Sequence, residues 1–320
     1  MTRLIALFLM LAGFGTTIHA ADTYPSREVR VIVPLSAGGG TDTITRQLTE
    51  RMVKRLGKPL IIENKGGAGT TIGMAAAATA APDGHTVVVN GDTVAIFEYI
   101  FAKPKFDTFK DFVPVAYFAS APIVLAAHPG FAPNNVRELI ALAKKTPGQI
   151  AYATPGVGTP HDLAGLLLMQ KAGIKFNDVA YKGNGPALND LLGGQVQIGM
   201  FTIFNVLQYV QTGKLKILAV VGDKRTTLAP DLPSMAESGL PGVDVSSRYV
   251  MLAPKGTPAA ALAKLHATIQ EVVRDPEAGQ AFRHLGYEPM QVSQQESAAM
   301  LKAEHDRWGP ILKAANVQPQ

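Results

Sequence analysis

Val29-Arg30-Val31-Ile32-Val33-Pro34-Leu35-Ser36-Ala37-Gly38-Gly39-Gly40-Thr41-Asp42 is the stretch on which the fold of this chain turns. A β-branched apolar run enters three consecutive glycines, and Thr41 and Asp42 then open a helical pattern. That order predicts strand, tight loop and helix, with backbone N–H groups exposed at a positive helix end, where an anion is well held. Inside a cell the loop would suggest a nucleotide; outside the inner membrane it suggests capture of a small acid. A plainer reading stands beside it, in which Gly38–Gly40 only make a tight turn and Asp42 caps the helix.

The residues upstream favour the second compartment. Arg3 is the only Lys, Arg, Asp or Glu in the first twenty residues, Leu4 to Phe14 form a short apolar core, and Ile18-His19-Ala20 is a tolerable cleavage triplet. This is the layout of a secretory signal peptide over residues 1–20, too short for a comfortable membrane span. The chain has no cysteine. Disulfides, thiolate metal sites, a cysteine nucleophile and a lipidated N-terminal cysteine are therefore excluded, which suits a Gram-negative periplasm. Removing Arg3 leaves 29 basic against 25 acidic residues, or +4, scattered without a basic run. Nucleic-acid binding would need a concentrated stripe.

Downstream, strands and helices alternate. Val29–Val33, Leu60–Ile62 and His85–Asn90 read as strands around helices over Thr41–Leu56 and Thr70–Ala80, a βαβαβ rhythm that implies parallel, doubly wound sheet. The rhythm continues through Ile123–Ala127, Arg137–Lys145, Ala151–Thr154, His161–Ala172, Asp178–Tyr181, Ala187–Gly193 and Ile217–Val221. A Pro-rich passage at 228–233 precedes a strand over Tyr249–Ala253 and helices over Ala259–Arg274, Glu277–Leu285 and Gln294–Ala315. No internal sequence repeat is apparent.

Several loops at the carboxyl ends of these strands are candidate ligand contacts, Asp42 at the end of the first among them, since open α/β sheets bind there. Gly38 begins a G-x-G, but Thr43 stands where the dinucleotide fingerprint needs a third Gly or Ala; Glu63 alone imitates its ribose-binding acid. Gly91-Asp92-Thr93 ends the third strand and is either a contact or a polar turn. Thr154-Pro155-Gly156-Val157-Gly158-Thr159-Pro160-His161-Asp162 repeats the strand, glycine turn and capped helix; His161 either donates to an anion or decorates the first helical turn. Arg248 opens the strand that follows the Pro-rich passage. Its planar fork would match a second carboxylate of a ligand, and the alternative is a solvated strand edge. The histidines have no metal-ligand spacing, and no G-x-S-x-G elbow supports a nucleophile. Catalytic residues, metal and cofactor are all expected to be absent.

The chain resembles the periplasmic receptors of tripartite tricarboxylate transporters, the Bug family. The resemblance rests on Val33-Pro34…Gly38-Gly39-Gly40-Thr41-Asp42, Glu63-Asn64-Lys65…Gly67-Ala68-Gly69, Ala81-Pro82-Asp83-Gly84, Gly156-Val157-Gly158-Thr159-Pro160-His161, Tyr181-Lys182-Gly183 and Ala236-Glu237-Ser238-Gly239-Leu240-Pro241-Gly242. It implies an α/β, two-lobed periplasmic binding protein of type II-like form. Each lobe would be a mainly parallel sheet flanked by helices, 23–122 plus 248–320 and 123–247, with a hinge between them. It further implies a small organic carboxylate gripped by Leu35, Ser36, Ala37, Gly38 and Gly39, with Thr154, Gly158, Thr159, His161, Phe201 and Thr202 from the facing lobe. Inner-membrane permease subunits would be the partner of an expected monomer, and a sensor kinase is the alternative partner. An exported enzyme using the Gly38 loop on an anionic substrate is the competing class. Asp162 stands where a second histidine is common in the family, Phe97-Glu98 where Asn-Pro is, Phe201-Thr202 where Asp-Asn is, and Arg248 where an aromatic is usual.

Overall fold

Strands β1 (Val29–Val33), β2 (Leu60–Asn64) and β3 (Thr86–Gly91) alternate with helices α1 (Gly40–Leu56) and α2 (Thr71–Ala78), as their apolar periodicity requires. Two single-turn helices, α3 (Phe97–Ile100) and α4 (Thr108–Asp111), lead into a sixteen-residue strand, β4 (Phe112–Ala127). There follow α5 (Val136–Lys145), β5 (Ala151–Thr154), α6 (Pro160–Ala172), β6 (Asn177–Ala180), α7 (Asn184–Leu192), β7 (Ile198–Thr202), α8 (Ile203–Gln211) and β8 (Lys216–Val220). The chain closes with β9 (Ser246–Pro254), α9 (Ala259–Arg274), α10 (Pro276–His284), β10 (Glu288–Pro289) and α11 (Gln294–Ala314). The computed structural model describes residues 24–314 apart from Lys182, together with Val317 and Pro319. The signal peptide read over residues 1–20 lies outside the described residues, and no helix among them is long and apolar enough to cross a membrane.

The strands form two sheets that share β4. Over Phe112–Pro122 it pairs antiparallel with β9, and over Ile123–Ala127 antiparallel with β7 and β8. The first sheet runs β2-β1-β3-β9-β4 and the second β6-β5-β7-β4-β8. Both therefore repeat one plan: three parallel strands, then a strand arriving from the other half, then a last strand. The expected parallel trios are present, but β4, β8, β9 and the short β10 run antiparallel to their neighbours, so each sheet is mixed. Pro114 sits beside a register shift in β4 and Pro122 at its crossing point, positions where a missing N–H costs least.

Helices cover both faces of each sheet, which is why the strands are apolar on both sides. Val29 and Val31 pack with Ile44 and Leu48 of α1 and Leu265 and Ile269 of α9. Ile32, one residue out of phase, packs with Met74 of α2 and Leu301 of α11. In the second sheet Ile123 and Leu125 share a core with α5, α6 and Trp308, while Val124 and Ala126 share one with α7 and α8. Caps fix the helix ends. Asn135 accepts from Glu138 N–H while Glu138 accepts from Asn134 N–H, and Gly57 ends α1 in the left-handed region at φ 68°.

Candidate functional site

The loop after β1 is shaped by Asp42, the third residue of α1. Its carboxylate accepts from Gly38 N–H at 2.8 Å, from Arg46 Nε and Nη2 at 2.9 Å each and from Asn64 Nδ2 at 2.9 Å. The Arg46 hydrogen bonds are the main reason its acidity rises, to a pKa of about 2. Gly38 supplies the left-handed turn, φ 80°, which leaves the amides of Ala37, Gly40 and Thr41 without partners among the described residues.

The loop after β5 repeats this device. Gly158, φ 73°, donates its N–H to the Asp162 carboxylate at 2.9 Å, and Asp162 is the third residue of α6 after Pro160. Gly38 and Asp42 thus correspond to Gly158 and Asp162, and Thr41 to His161. The sequence conceals this repeat because only the glycine and the aspartate are shared. The Asp162 carboxylate is thus consumed in holding the loop. No arginine serves Asp162, so burial pushes its pKa up to about 6.

Two joined cavities lie at the carboxyl ends of β1, β3, β5 and β7, between these loops. One, of about 290 Å³, is lined by Gly40, Thr41, His161, Thr202, Asn205, Tyr287 and their neighbours. The other, of about 310 Å³, is lined by Leu35, Gly91, Thr93, Phe97, Ile100, Phe101, Val157, Gly158, Thr159 and Arg248 among others. Thr41, Ser247 and Tyr249 border both. His161 Nε2 lies 3.1 Å from Thr202 Oγ1, its carbonyl accepts from Tyr152 Oη, and burial lowers its pKa to about 4. It is therefore a neutral hydrogen-bonding group at neutral pH. Tyr287 donates to the Gly40 carbonyl at 3.0 Å and packs edge-on against Tyr249.

The structure brings Leu35, Gly91, Thr93, Gly158, Thr159, His161, Thr202 and Arg248 to the cavities. Ser36, Ala37, Gly38 and Gly39 lie in the exposed turn beside them. Asp42 faces away into its own cap. Thr154 is buried beneath the loop, with Oγ1 3.4–3.5 Å from Gly156 backbone atoms. Phe201 is fully buried among Ala187, Leu191 and Val206, because the alternation of β7 turns it toward α7 and α8. Thr41, Ser247, Tyr249, Tyr287 and the aromatic wall of Phe97 and Phe101 were missed by sequence reasoning. The alternation of Ser247 and Tyr249 about Arg248 was a local signal for those two alone.

Arg248 is neither a solvated edge residue nor an unengaged clamp. Its Nη1 donates to Glu304 Oε1 at 2.8 Å and lies 3.5 Å from Asp92 Oδ2, and its side chain is 18% exposed. Asp92, 4% exposed, points into a separate void of about 10 Å³ shared with Glu304 and Trp308. Burial first, then the Glu304 charge, pushes the Asp92 pKa up to about 7 against the pull of Arg248. Trp308 Nε1 donates to Glu304 Oε2 at 2.7 Å. Among the described residues no group of three His, Asp or Glu side chains could hold a metal ion.

Residues 44–317 match the model of the tripartite tricarboxylate transporter family receptor. Protein BugT of Bordetella pertussis is 32% identical over 318 residues, covering 98% of this chain and 97% of BugT. The structure of the periplasmic binding protein BugD superposes with a TM-score of 0.78 at 35% identity, over 93% of this chain and 100% of BugD. MatC of Rhodopseudomonas palustris, solved with bound malate, does so at 0.75 and 33% identity, over 90% of this chain and 100% of MatC. The family is described as a receptor family and BugD as a binding protein, neither as an enzyme, and this chain likewise is a binding protein. The chain belongs to the tripartite tricarboxylate transporter receptor family of periplasmic solute-binding proteins.

Proposed function

We propose that this receptor captures a small organic carboxylate in the periplasm and presents it to inner-membrane permease subunits of a tripartite tricarboxylate-type system. The observation that carries this reading is the pair of mirrored loops, which set Thr41 and His161 beside one cavity with Ser247 and Tyr249. Hydroxyls, a neutral imidazole and unpartnered helix-end amides stabilise a carboxylate without a permanent positive charge. Malate in MatC supports the same ligand class. Purified protein stripped of ligand should gain about 2.7 kcal/mol of stability in an organic acid present at about 100 times its Kd. Thermal melting across a panel of acids measures this, with mass spectrometry of any ligand carried through purification. A panel in which no acid raises the melting temperature would exclude the proposal.

The lobes are assigned to 23–122 plus 248–320 and to 123–247, hinged where β4 leaves the first sheet and β9 returns to it. Closure would bring them together around ligand. Two glycines support a closed arrangement. Gly286, between α10 and β10, receives Phe204 of α8, and a Cβ there would overlap the Phe204 Cβ. On the other side a Cβ at Gly158 would fall 2.6 Å from Ile100 Cδ1. Gly286→Ala should therefore raise the ligand Kd about tenfold, the equivalent of about 1.4 kcal/mol against the closed form. The strain of a side chain at φ 81° burdens open and closed forms alike, so affinity isolates the closure effect. Adding Phe204→Gly, which removes the Cβ that the new methyl meets, should restore affinity and the closed-form radius of gyration. An unchanged Kd in the single variant would rule out this contact as a latch.

A further inference from the structure

The two cavities differ in chemistry. The one holding His161 and Thr202 is walled chiefly by hydroxyls, two amides and tyrosine rings, together with Phe204 and Leu285. The one beyond Thr41 and Tyr249 is walled by Leu35, Phe97, Ile100, Phe101 and Val157, with Leu35 and Val157 presenting 36% and 44% of their surface. Exposed apolar side chains in a concave site are ready to bury a ligand's hydrocarbon. Arg248 is the one cation among the described residues lining this second cavity, and it is bonded to Glu304 and adjacent to Asp92.

We infer that the ligand is an acid with one anionic end and an apolar body. Its carboxylate sits in the polar cavity, its hydrocarbon against Phe97, Ile100 and Phe101, and Arg248 is withheld from it by Asp92 and Glu304. This rests on the reading under Proposed function and narrows its substrate class.

Charge arithmetic supports the assignment. Two carboxyl groups against one guanidinium leave no positive excess beside the apolar cavity, whichever of the acids holds a proton. A second ligand carboxylate placed there would lose water and meet at least one like charge beside a guanidinium already neutralised, an arrangement that costs more than it returns. An apolar terminus meets no such penalty. The selectivity is thus set from behind the wall, by a helix-borne glutamate that lines neither cavity.

The test is calorimetric titration of ligand-stripped protein with acids matched in skeleton: hexanoate against adipate, and benzoate against terephthalate, with malate as a further probe. In the pair that fits, the monoacid should bind about tenfold or more tightly than its diacid. A diacid binding as well as or better than its monoacid overturns the inference. So does malate binding while neither monoacid does, an outcome that leaves the carboxylate-receptor reading standing. If none of the five acids binds, the inference falls, and the wider reading is decided by the thermal-melting panel described above. The double substitution Asp92→Asn and Glu304→Gln should release Arg248 and improve diacid binding about tenfold relative to the monoacid. Unchanged selectivity in a folded double variant overturns the role of the two acids, and the wild-type titrations stand alone if that variant does not fold.

Discussion

Arg248→Met is expected to lower the stability of this protein by about 3–5 kcal/mol, the cost of leaving partner charges buried without their counterion. The substitution keeps most of the side-chain volume, so the loss belongs to electrostatics and not to a cavity. It should also depend on pH. In the wild type the Asp92 carboxyl titrates near 7 when folded, well above its ordinary value near 3.8. The folded state therefore holds a proton that the unfolded chain has released, and this group's favourable contribution is complete below about pH 4 and lost as pH rises through about 7. Without Arg248 the folded-state affinity for that proton rises further. The gap between variant and wild type should then stay constant below about pH 6 and widen as pH rises through about 7 in denaturant titrations. Replacing all three charges, Arg248→Met with Asp92→Asn and Glu304→Gln, should recover most of the loss, since a buried ion group exchanged whole for neutral residues is often energetically neutral. A pH-independent loss, or one below about 1 kcal/mol, would mean that solvent screens the cluster more than its burial implies.

Trp308→Ala should cost a similar amount, about 3–5 kcal/mol, for a different reason. The indole is 2% exposed and packs in the same core as Ile123, Leu125 and Met200 of the second sheet, although α11 also anchors Leu301 in a core of the first. Truncation opens a void where the helix joins the two cores and removes the donor to Glu304. Trp308→Phe separates the two effects. It retains most of the packing and loses the N–H, so it should cost about 1.5–3 kcal/mol, the usual worth of a hydrogen bond to a charged group. Amide exchange along α11 should accelerate in the alanine variant more than in β1 or β3. Uniform acceleration throughout would show that the helix does not open as a unit.

The fold was legible where periodicity and glycine punctuation coincided. β1, α1, β5 and α9 emerge from the sequence almost residue for residue, because their apolar spacing and flanking breakers leave one solution. The first half of β4 did not, since Pro114 and Pro122 argue against a long strand and only the register shift accommodates the first of them. β7 and α8 were missed because the chain passes from Thr202 to Ile203 without a turn residue between them. At the site, the glycine loops were visible but their caps were not understood. Asp42 looked available to a ligand until its four hydrogen-bond donors were located. Arg248 was conspicuous, whereas Glu304, which sets its behaviour, lies 56 residues away on the last helix in an ordinary polar stretch. Pairings at that distance leave no local mark.

The mirrored loops separate two duties that many binding sites combine. Gly38 and Asp42, like Gly158 and Asp162, are committed to folding, because one turns the chain and the other secures it. The position before each aspartate, Thr41 in one half and His161 in the other, carries no part of that scaffold and projects toward the cavity. A lineage of such receptors can therefore exchange those two side chains, drift toward a new solute and still assemble the same pair of loops.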